Sequence, residues 1–238
     1  MSLTATILTS LMVGQSTSIS SYWQSGLKDG SFTAKVGKAS QKELQKINKD
    51  FAQSYRFDTT DVKFKEPFML RLEAKVDDQQ IWYILNGTTR LLSIPKSKIR
   101  QRENLANSPG KRQTVFDFGL ITPALFDDLM VATFVRMDRA TNEAVFDVKY
   151  NSKLGDDSRN RIWVDPDQKF VTKREWYSQN GNKPLLAVFK YKNPKKFGSI
   201  WIPTVLEVYN SQNILAGTTF YNDIEVNTGL NSSLFNVN

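Results

Sequence analysis

The feature that most limits the fold of this chain is a series of short runs in which apolar and polar residues alternate. The first runs over 62–65 and, beyond Pro67, over 68–75. A period of two places apolar side chains on one face of a β-strand. Asn86-Gly87 then lies between two β-prone runs and predicts a tight hairpin, because both turn residues tolerate positive φ. We therefore expect consecutive antiparallel strands.

The second half of the chain continues as a β-meander. Its predicted strands lie at 144–150, 161–164, 170–178, 185–191, 200–209 and 214–226. Together with earlier runs and a first strand at 31–36, this makes about ten strands, with two or three helices. Strands joined by short loops pair antiparallel, and a sheet this wide must curl or split. A doubly wound α/β fold is excluded, because helices do not alternate with the strands.

Two segments have helical spacing. Ser40 and Glu43 are spaced as a capping box, and apolar residues follow between 44 and 55 at steps of three and four. Thr122-Pro123 is typical of an N-cap followed by proline at the first helical position, which predicts a second helix over 123–132. Residues 1–30 are expected to form an N-terminal extension, with a helical apolar patch at 7–13.

The composition removes several kinds of chemistry. The 238 residues carry a formal net charge of +8 and include neither histidine nor cysteine. A histidine-based hydrolase, a thiolate nucleophile and a typical zinc site are excluded. We expect no catalytic residue, no metal site and no cofactor. The first rival hypothesis is an enzyme that uses two carboxylates. A simpler interpretation exists for each acidic pair: Asp127-Asp128 would lie on the outer face of the second helix, and the others would lie in turns, namely Asp77-Asp78, Asp156-Asp157 and Asp165/Asp167.

Several motifs, taken in order, resemble the LolA superfamily of bacterial outer-membrane lipoprotein-sorting carriers. Segment 64–71 (FKEPFMLR) is similar to that family's strand with lysine, proline and arginine, and an aromatic strand at 81–83 follows it as in the family. Three later segments are similar to the family's strand–turn, strand start and closing segment; they lie at 163–167, 198–203 and 224–235. The resemblance covers most of the chain from about Ala34. Glu66 departs from it, because the best-studied carriers have a basic residue directly before that proline.

The resemblance implies one LolA-like domain over residues 1–238. The implied fold is α+β, an incomplete, half-open antiparallel β-barrel with helices covering its concave face. The concave interior would be an apolar cavity for acyl chains, with Arg71 at the rim as the headgroup contact and the second helix as a lid. Large apolar side chains are expected to line the cavity, namely Trp82, Phe116, Phe118, Phe126, Leu129, Met130, Phe134, Trp163, Trp176, Phe189, Trp201 and Phe220.

We therefore expect a non-catalytic, monomeric carrier or sensor in the periplasm or another compartment of the bacterial cell envelope. Its expected partners are lipid acyl chains or a lipidated protein, with an envelope membrane receptor as a second candidate. Residues 1–13 lack the basic start of a signal peptide, so that peptide is expected to be missing from this sequence. Met1 to Leu3 fit either a native start or a remnant of expression cloning.

The second rival hypothesis is a solidly packed interaction module that binds an anionic partner through a basic face. Lys96, Lys98, Arg100 and Arg102 recur at every second residue and would form a cationic strip in a strand. A solvated loop is the simpler interpretation of this stretch. Nucleic acid is not an expected partner, because single-strand binding sites carry stacking aromatics and Ile99 is the only apolar residue in this stretch.

Overall fold

The computed structural model describes residues 17–179 and 184–238. The patch predicted at 7–13 and the turn predicted at Asn180-Gly181 lie outside these ranges. The described residues form strands with the following bounds: β1 (Asp29–Ala39), β2 (Thr59–Lys65), β3 (Met69–Val76), β4 (Gln79–Asn86), β5 (Thr89–Ile94), β6 (Ile99–Asn104), β7 (Met130–Met137), β8 (Ala144–Tyr150), β9 (Arg159–Val164), β10 (Val171–Tyr177), β11 (Leu185–Lys192), β12 (Lys195–Phe197), β13 (Ile200–Ile202), β14 (Val205–Asn210) and β15 (Leu215–Val226).

The helices are short. Two are α-helical, α1 (Gln41–Ile47) and α2 (Lys49–Ser54). The others are single 3-10 turns at Ile19–Ser21, Pro95–Ser97, Pro109–Lys111, Val115–Phe118, Pro123–Phe126, Ser152–Leu154 and Ser232–Phe235. Within 17–179 and 184–238, no helix has the length and apolar character that crossing a membrane requires.

Thirteen strands form one sheet in the order β6-β5-β4-β3-β2-β1-β15-β14-β11-β10-β9-β8-β7, and β12 pairs with β13 in a separate ribbon. The pairs are antiparallel and follow chain order, except at the centre, where β1 pairs with β15, and at β11, which pairs with β14 because β12 and β13 form the separate ribbon. The predicted antiparallel α+β class is confirmed. The sheet is wider than the expected ten or so strands, because β6 and β7 occupy segments predicted as a loop and as part of the second helix.

The predicted second helix over 123–132 is wrong beyond its first turn. Pro123–Phe126 is a single 3-10 turn, and β7 begins at Met130. The residues that follow are mostly β-branched or aromatic, from Val131 to Val135, and such residues favour an extended strand over a helix. Asp127 and Asp128 are exposed between the turn and the strand, rather than on the outer face of a helix.

The first predicted helix is present but is divided in two. The Ser40 hydroxyl accepts a hydrogen bond from the Glu43 N–H at 3.4 Å, which confirms the predicted N-cap of α1. Asn48 then adopts an extended conformation and ends the helix. Its side-chain oxygen accepts from the N–H groups of Asp50 and Phe51 and so caps α2.

The sheet is curled. β2 and β7 are eight places apart in the sheet order, which would be about 38 Å in a flat sheet at about 4.8 Å per strand. Glu66 comes directly after β2, and Thr122 lies beside Glu66. β7 begins eight residues after Thr122, at Met130. Eight residues span at most about 28 Å, and the two side chains add only a few ångströms. The sheet therefore bends into an open trough, with β6 and β7 as its two edges.

We call the concave side the inner face; it carries the main hydrophobic core. Residues 105–129, which we call the inner segment, lie across this face and consist of turns and 3-10 helices. Apolar side chains fix the segment in the core, and seven are buried: Leu105, Val115, Phe116, Leu120, Ile121, Leu125 and Leu129. The same core takes in Leu44 and Ile47 of α1, so this helix covers part of the inner face as expected.

A second, smaller core lies on the outer face of β3 to β5. Residues 230–238, which we call the C-terminal segment, cover it with the buried side chains of Phe235 and Val237. These pack against Ile84 and Leu91, which point away from the trough. The sheet is thus covered on both faces at this end.

Candidate functional site

The inner segment is joined to the rest of the chain at widely spaced points. Backbone hydrogen bonds of 2.7–2.9 Å link Leu105 N–H to Thr88 O, Val171 N–H to Gly119 O, Gln24 N–H to Ile121 O, and Asn151 N–H to Leu129 O. Between these points the segment is held mainly by its buried side chains. Side-chain packing, rather than a ladder of backbone hydrogen bonds, therefore keeps the segment in place.

Aromatic contacts pack the inner segment against the centre of the sheet. The ring of Phe118 is 5.1 Å from that of Phe32 on β1 and 6.1 Å from that of Tyr221 on β15. Phe126 stacks on Trp23 at 6.2 Å, between the chain before β1 and the approach to β7. The inner segment thus occupies the position that a ligand in the trough would take.

Eight of the twelve predicted lining residues belong to the main core or pack against it. They are Phe116, Phe118, Phe126, Leu129, Met130, Phe134, Trp176 and Phe189. Five of these, Phe116 to Met130, come from the inner segment or the first residue of β7 rather than from the trough wall. Their predicted contact with acyl chains stays a prediction.

The other four lie away from the inner face. Trp82 packs under the C-terminal segment. Trp163 alternates with the core residues Ile162 and Val164, so it points outward, and its indole N–H donates to Asp138 at 3.0 Å. Trp201 alternates in the same way with Ile200 and Ile202. Phe220 is 41% exposed.

Arg71 lies on the outer face as well, under the C-terminal segment. Its Nε donates to Glu73 at 2.8 Å, and its Nη1 donates to the carbonyl oxygen of Leu234 at 2.9 Å. Its guanidinium is 5.6 Å from the centre of the Trp82 ring. These contacts hold the C-terminal segment, so the predicted role of Arg71 at a ligand headgroup stays a prediction that its surroundings do not favour.

Little open space lies between the inner segment and the sheet at the β2–β3 turn. An enclosed cavity of about 10 Å³ lies between the β2–β3 turn and residues 113–115 of the inner segment. Ligand pockets usually measure about 300–1,000 Å³. A larger hollow of about 390 Å³ is open to solvent and is lined by Val131, Thr133, Asp147, Lys149, Tyr150 and Ser152. At the small cavity beside the β2–β3 turn, an acyl chain could enter the trough only if the inner segment moved.

The buried polar atoms without a hydrogen-bond partner are concentrated around the inner segment. Across the two described ranges, they are Glu66 Oε2, Arg112 Nε, Thr122 Oγ1 and Arg174 Nε. Arg112 and Thr122 belong to the segment, and Glu66 and Arg174 lie against it. Such atoms are costly to bury, and a functional role is one of the reasons for which a protein retains them.

Glu66 is the residue that departs from the family motif. Burial raises the pKa of its carboxyl from 4.5 to about 7, and the neighbouring Thr122 hydroxyl opposes part of this shift. The peptide bond between Glu66 and Pro67 is cis. Near neutral pH this carboxyl therefore exchanges between a neutral form and a buried anion beside the inner segment.

Arg174 is a buried cation on the inner face of β10. It is only 8% exposed, and its Nη1 donates to Asp117 Oδ1 of the inner segment at 3.0 Å. Its guanidinium carbon is 4.2 Å from the centre of the Phe189 ring and 5.0 Å from that of Phe116. Asp117 is itself about one-third exposed and also accepts from the Thr114 N–H at 3.0 Å.

Sequence reasoning did not identify the sites around Arg174, Arg112 and Thr122. A signal existed for Arg174, because it lies two residues before Trp176 in a predicted strand and therefore on the same face. Arg112 and Thr122 lie in an aperiodic stretch, where no pattern shows which side chains turn inward.

The other candidates from the sequence are surface features. Asp77 and Asp78 have positive φ in the β3–β4 turn, and Asp165 accepts hydrogen bonds from the N–H groups of Asp167 and Gln168, which confirms both turns. Among the residues described, no group of three or more acidic side chains is placed to hold a metal ion.

The basic stretch at 96–102 is only partly a loop. Lys96 and Lys98 lie in a turn, whereas Arg100 and Arg102 lie in β6 at one edge of the sheet. The stretch is exposed throughout. The predicted solvated loop is therefore wrong for its last part, where the strand alternative holds.

A family model with the description "-like: Uncharacterized protein" matches residues 57–238. No curated protein matches the sequence at a significant level.

Several solved structures share the fold at low sequence identity. A LolA superfamily protein from Nitrosomonas europaea has a TM-score of 0.60 and 12% identity, over 92% of this chain and 94% of that one. A domain assigned to outer membrane lipoprotein sorting, from Vibrio parahaemolyticus, has a TM-score of 0.60 and 14% identity, over 92% and 93%. A DUF1329 family protein from Desulfovibrio piger has a TM-score of 0.56 and 10% identity, over 89% and 90%. The fold is LolA-like.

Proposed function

This chain belongs to the family whose model matches residues 57–238, and we propose that it is a non-catalytic carrier or sensor that holds acyl chains, of a lipid or of a lipidated protein, in the trough of its half-open β-barrel. The observation that carries the proposal is the inner segment. It is an irregular stretch that fills the concave face of a LolA-like sheet where a ligand would lie.

The inner segment acts as an exchangeable filler. Its seven buried apolar side chains occupy the trough, and an acyl chain replaces part of them when it binds. Burial of apolar surface is worth about 0.8 kcal/mol per CH₂ group, so a chain of about 16 carbons supplies on the order of 10 kcal/mol before ordering costs. That is of the order of the contribution of several buried apolar side chains, at about 1.5–3 kcal/mol each, so the acyl chain compensates for part of the packing that the segment loses.

The inner segment takes the role that the sequence suggested for a second helix. It closes over the ligand, or leaves the trough, by moving between its anchor points at Leu105 and Leu129. The wall residues Phe134, Trp176 and Phe189 contact the chain from the sheet. We propose the periplasm or another envelope compartment as the setting, with a membrane receptor as the donor or acceptor and a monomer as the working form.

Native mass spectrometry of protein purified without detergent tests the proposal directly. Co-purified lipid, and uptake of a fluorescent fatty acid at micromolar concentration, are the expected results. A protein that carries no lipid and takes up no fatty acid between pH 6 and pH 8 overturns the proposal.

Distances between spin labels test the movement of the inner segment. The chain has no cysteine, so two introduced cysteines label cleanly. Exposed Lys111 on the inner segment and exposed Lys35 on β1 form the test pair, and Lys35 with exposed Lys149 on β8 forms the control pair. Fatty acid should change the first distance and leave the second unchanged; no change in either contradicts the filler mechanism.

The packed interior favours a second candidate, a solid module that binds an anionic partner through Arg100 and Arg102 on the β6 edge. Binding through exposed cations weakens steeply as salt rises, because the charges are screened. Binding by burial in the trough depends little on salt. Titration at about 50 mM and about 500 mM salt, against fatty acid and against a polyanion, separates the two candidates.

A further inference from the structure

The guanidinium of Arg174 is a buried charge of the inner face that is only partly satisfied. It is buried between the rings of Phe116 and Phe189, and its Nε has no hydrogen-bond partner. Its ion-pair partner Asp117 is about one-third exposed and belongs to the inner segment. A buried cation with one open donor and one removable partner is suited to bind another anion.

A second cation lies nearby with the same deficiency. The Nε of Arg112 is buried without a partner, and its guanidinium is 4.8 Å from the centre of the Phe68 ring. Arg112 comes two residues before Thr114, whose N–H donates to Asp117 Oδ2, while Asp117 Oδ1 accepts from Arg174. Burial raises the pKa of Tyr150 overall, and both guanidinium groups lower it in part. The Tyr191 hydroxyl donates to the carbonyl oxygen of Asp117 at 3.2 Å in the same region.

We propose that Arg174, together with Arg112, binds the anionic headgroup of the acyl ligand, a carboxylate or a phosphate, and that this headgroup replaces Asp117 as the partner of Arg174. The inference rests on the proposed function and names the ligand class, a single-chain lipid with an acidic head. The exchange links recognition to opening, because Asp117 leaves Arg174 only when the inner segment moves.

The chemistry of the site agrees with this exchange. A guanidinium pairs with carboxylate or phosphate through parallel N–H bonds, and the open Nε of Arg174 supplies a donor that Asp117 does not use. The aromatic rings around it exclude water and strengthen the interaction. A neutral head such as an alcohol would leave the cation without a counter-ion, so the site should reject it.

The test compares lauric acid with dodecanol, which have chains of equal length and differ in the head. Each displaces a fluorescent fatty-acid analogue from the full chain at pH 8, where the acid is ionised. A hydrogen bond to a charged group is worth about tenfold or more in affinity, so we expect wild type to favour lauric acid by at least about tenfold. Arg174→Gln should abolish that preference, so that the two affinities become about equal, and should leave the affinity for dodecanol unchanged.

Two further variants keep the test decisive. Asp117→Asn removes the competing carboxylate at a partly exposed position and should raise the affinity for lauric acid several-fold, even if Arg174→Gln fails to fold. Arg139→Gln removes an exposed arginine outside the trough and should change neither affinity.

The outcomes distinguish failure of the headgroup site from failure of the carrier proposal. If wild type binds both ligands equally, if the preference survives Arg174→Gln, or if Asp117→Asn leaves the affinity for lauric acid unchanged, the headgroup site is wrong and the carrier proposal stands. If inorganic phosphate or acetate alone competes at micromolar concentration, Arg174 holds a free anion and the headgroup proposal is overturned. If neither lauric acid nor dodecanol displaces the probe, the proposed function itself is overturned.

Discussion

Gly119 lies directly against the ring of Tyr191, so closely that a β-carbon at position 119 would come within 2.7 Å of two ring atoms. Gly119 also has a φ of +79°, which L-residues rarely adopt. The contact fixes the middle of the inner segment against β11, and the N–H of Val171 on the neighbouring β10 donates to the Gly119 carbonyl.

Gly119→Ala should therefore destabilise the protein by about 2–4 kcal/mol, because backbone strain and a steric clash add. Gly155→Ala is the matched control. Gly155 has a similar φ of +68° but open space around it, so that variant should lose only about 1 kcal/mol of strain. Urea unfolding measures both. Equal losses in the two variants would show that the inner segment does not press on Tyr191.

Glu66→Gln should change how stability depends on pH. The folded-state pKa of Glu66 is raised from 4.5 to about 7, so the folded protein binds the proton more tightly than the unfolded chain does. Its contribution is therefore fully favourable below pH 4.5 and is lost as pH rises through about 7, by at most about 3 kcal/mol.

The measurement for Glu66 is the free energy of unfolding at pH 5, 6, 7 and 8. The wild-type decline across this range should flatten in Glu66→Gln, which should be the more stable protein at pH 8. Glu225→Gln, at an exposed position of β15, should keep the wild-type profile. A decline of the same size in Glu66→Gln would assign the pH dependence to another group.

Leu125→Ala should cost about 2–5 kcal/mol of stability, because Leu125 is fully buried and its removal leaves a cavity under the inner segment. Ile214→Ala removes a large apolar side chain that is 45% exposed and should change stability by no more than about 0.5 kcal/mol. If the trough admits acyl chains, Leu125→Ala should also bind lauric acid at least as tightly as wild type, as displacement of the fluorescent probe would show. Unchanged stability of Leu125→Ala would contradict the description of the inner segment as a packed filler of the trough.

Phe235→Ala should loosen the outer face without affecting the trough. Phe235 is fully buried in the second core, so the substitution should cost about 3–5 kcal/mol. Hydrogen exchange should quicken first in β3 to β5, and the Trp82 environment should become more polar. Ser232→Ala, at an exposed position of the same segment, is the control. Faster exchange in β8 to β11 instead would mean that the two cores are not separate.

Local patterns predicted the elements whose signals are short-range. Alternation placed β3, β4 and β8 to β11 correctly, and the cap at Ser40 started α1 where expected. The second helix failed because Thr122-Pro123 signals only how a helix begins, whereas its continuation depended on residues such as Val131 and Val135 that favour a strand. Asn48 divided the first helix because its side chain caps a new one.

The candidate site was harder to predict, because it depends on contacts between distant parts of the chain. The last three residues of β9 are all apolar and all buried, so they alone could not show whether Trp163 or its neighbours Ile162 and Val164 faced the core. The inner segment has no period at all, and its position over the trough follows only from the curl of the sheet. The pairing of Arg174 with Asp117 joins residues 57 positions apart and has no local signature.

The pairing of β1 with β15 has a consequence for how the protein is made. The two strands at the centre of the sheet come from opposite ends of the described chain, and Gly30 lies opposite Val226. The centre of the sheet cannot assemble until residues 215–226 have left the ribosome, whereas the hairpins on either side of it can form earlier. Long-range strand pairing of this kind is also slow. The two halves of the sheet are therefore joined only when β15 pairs with β1, which makes this pairing the late step in the assembly of the sheet.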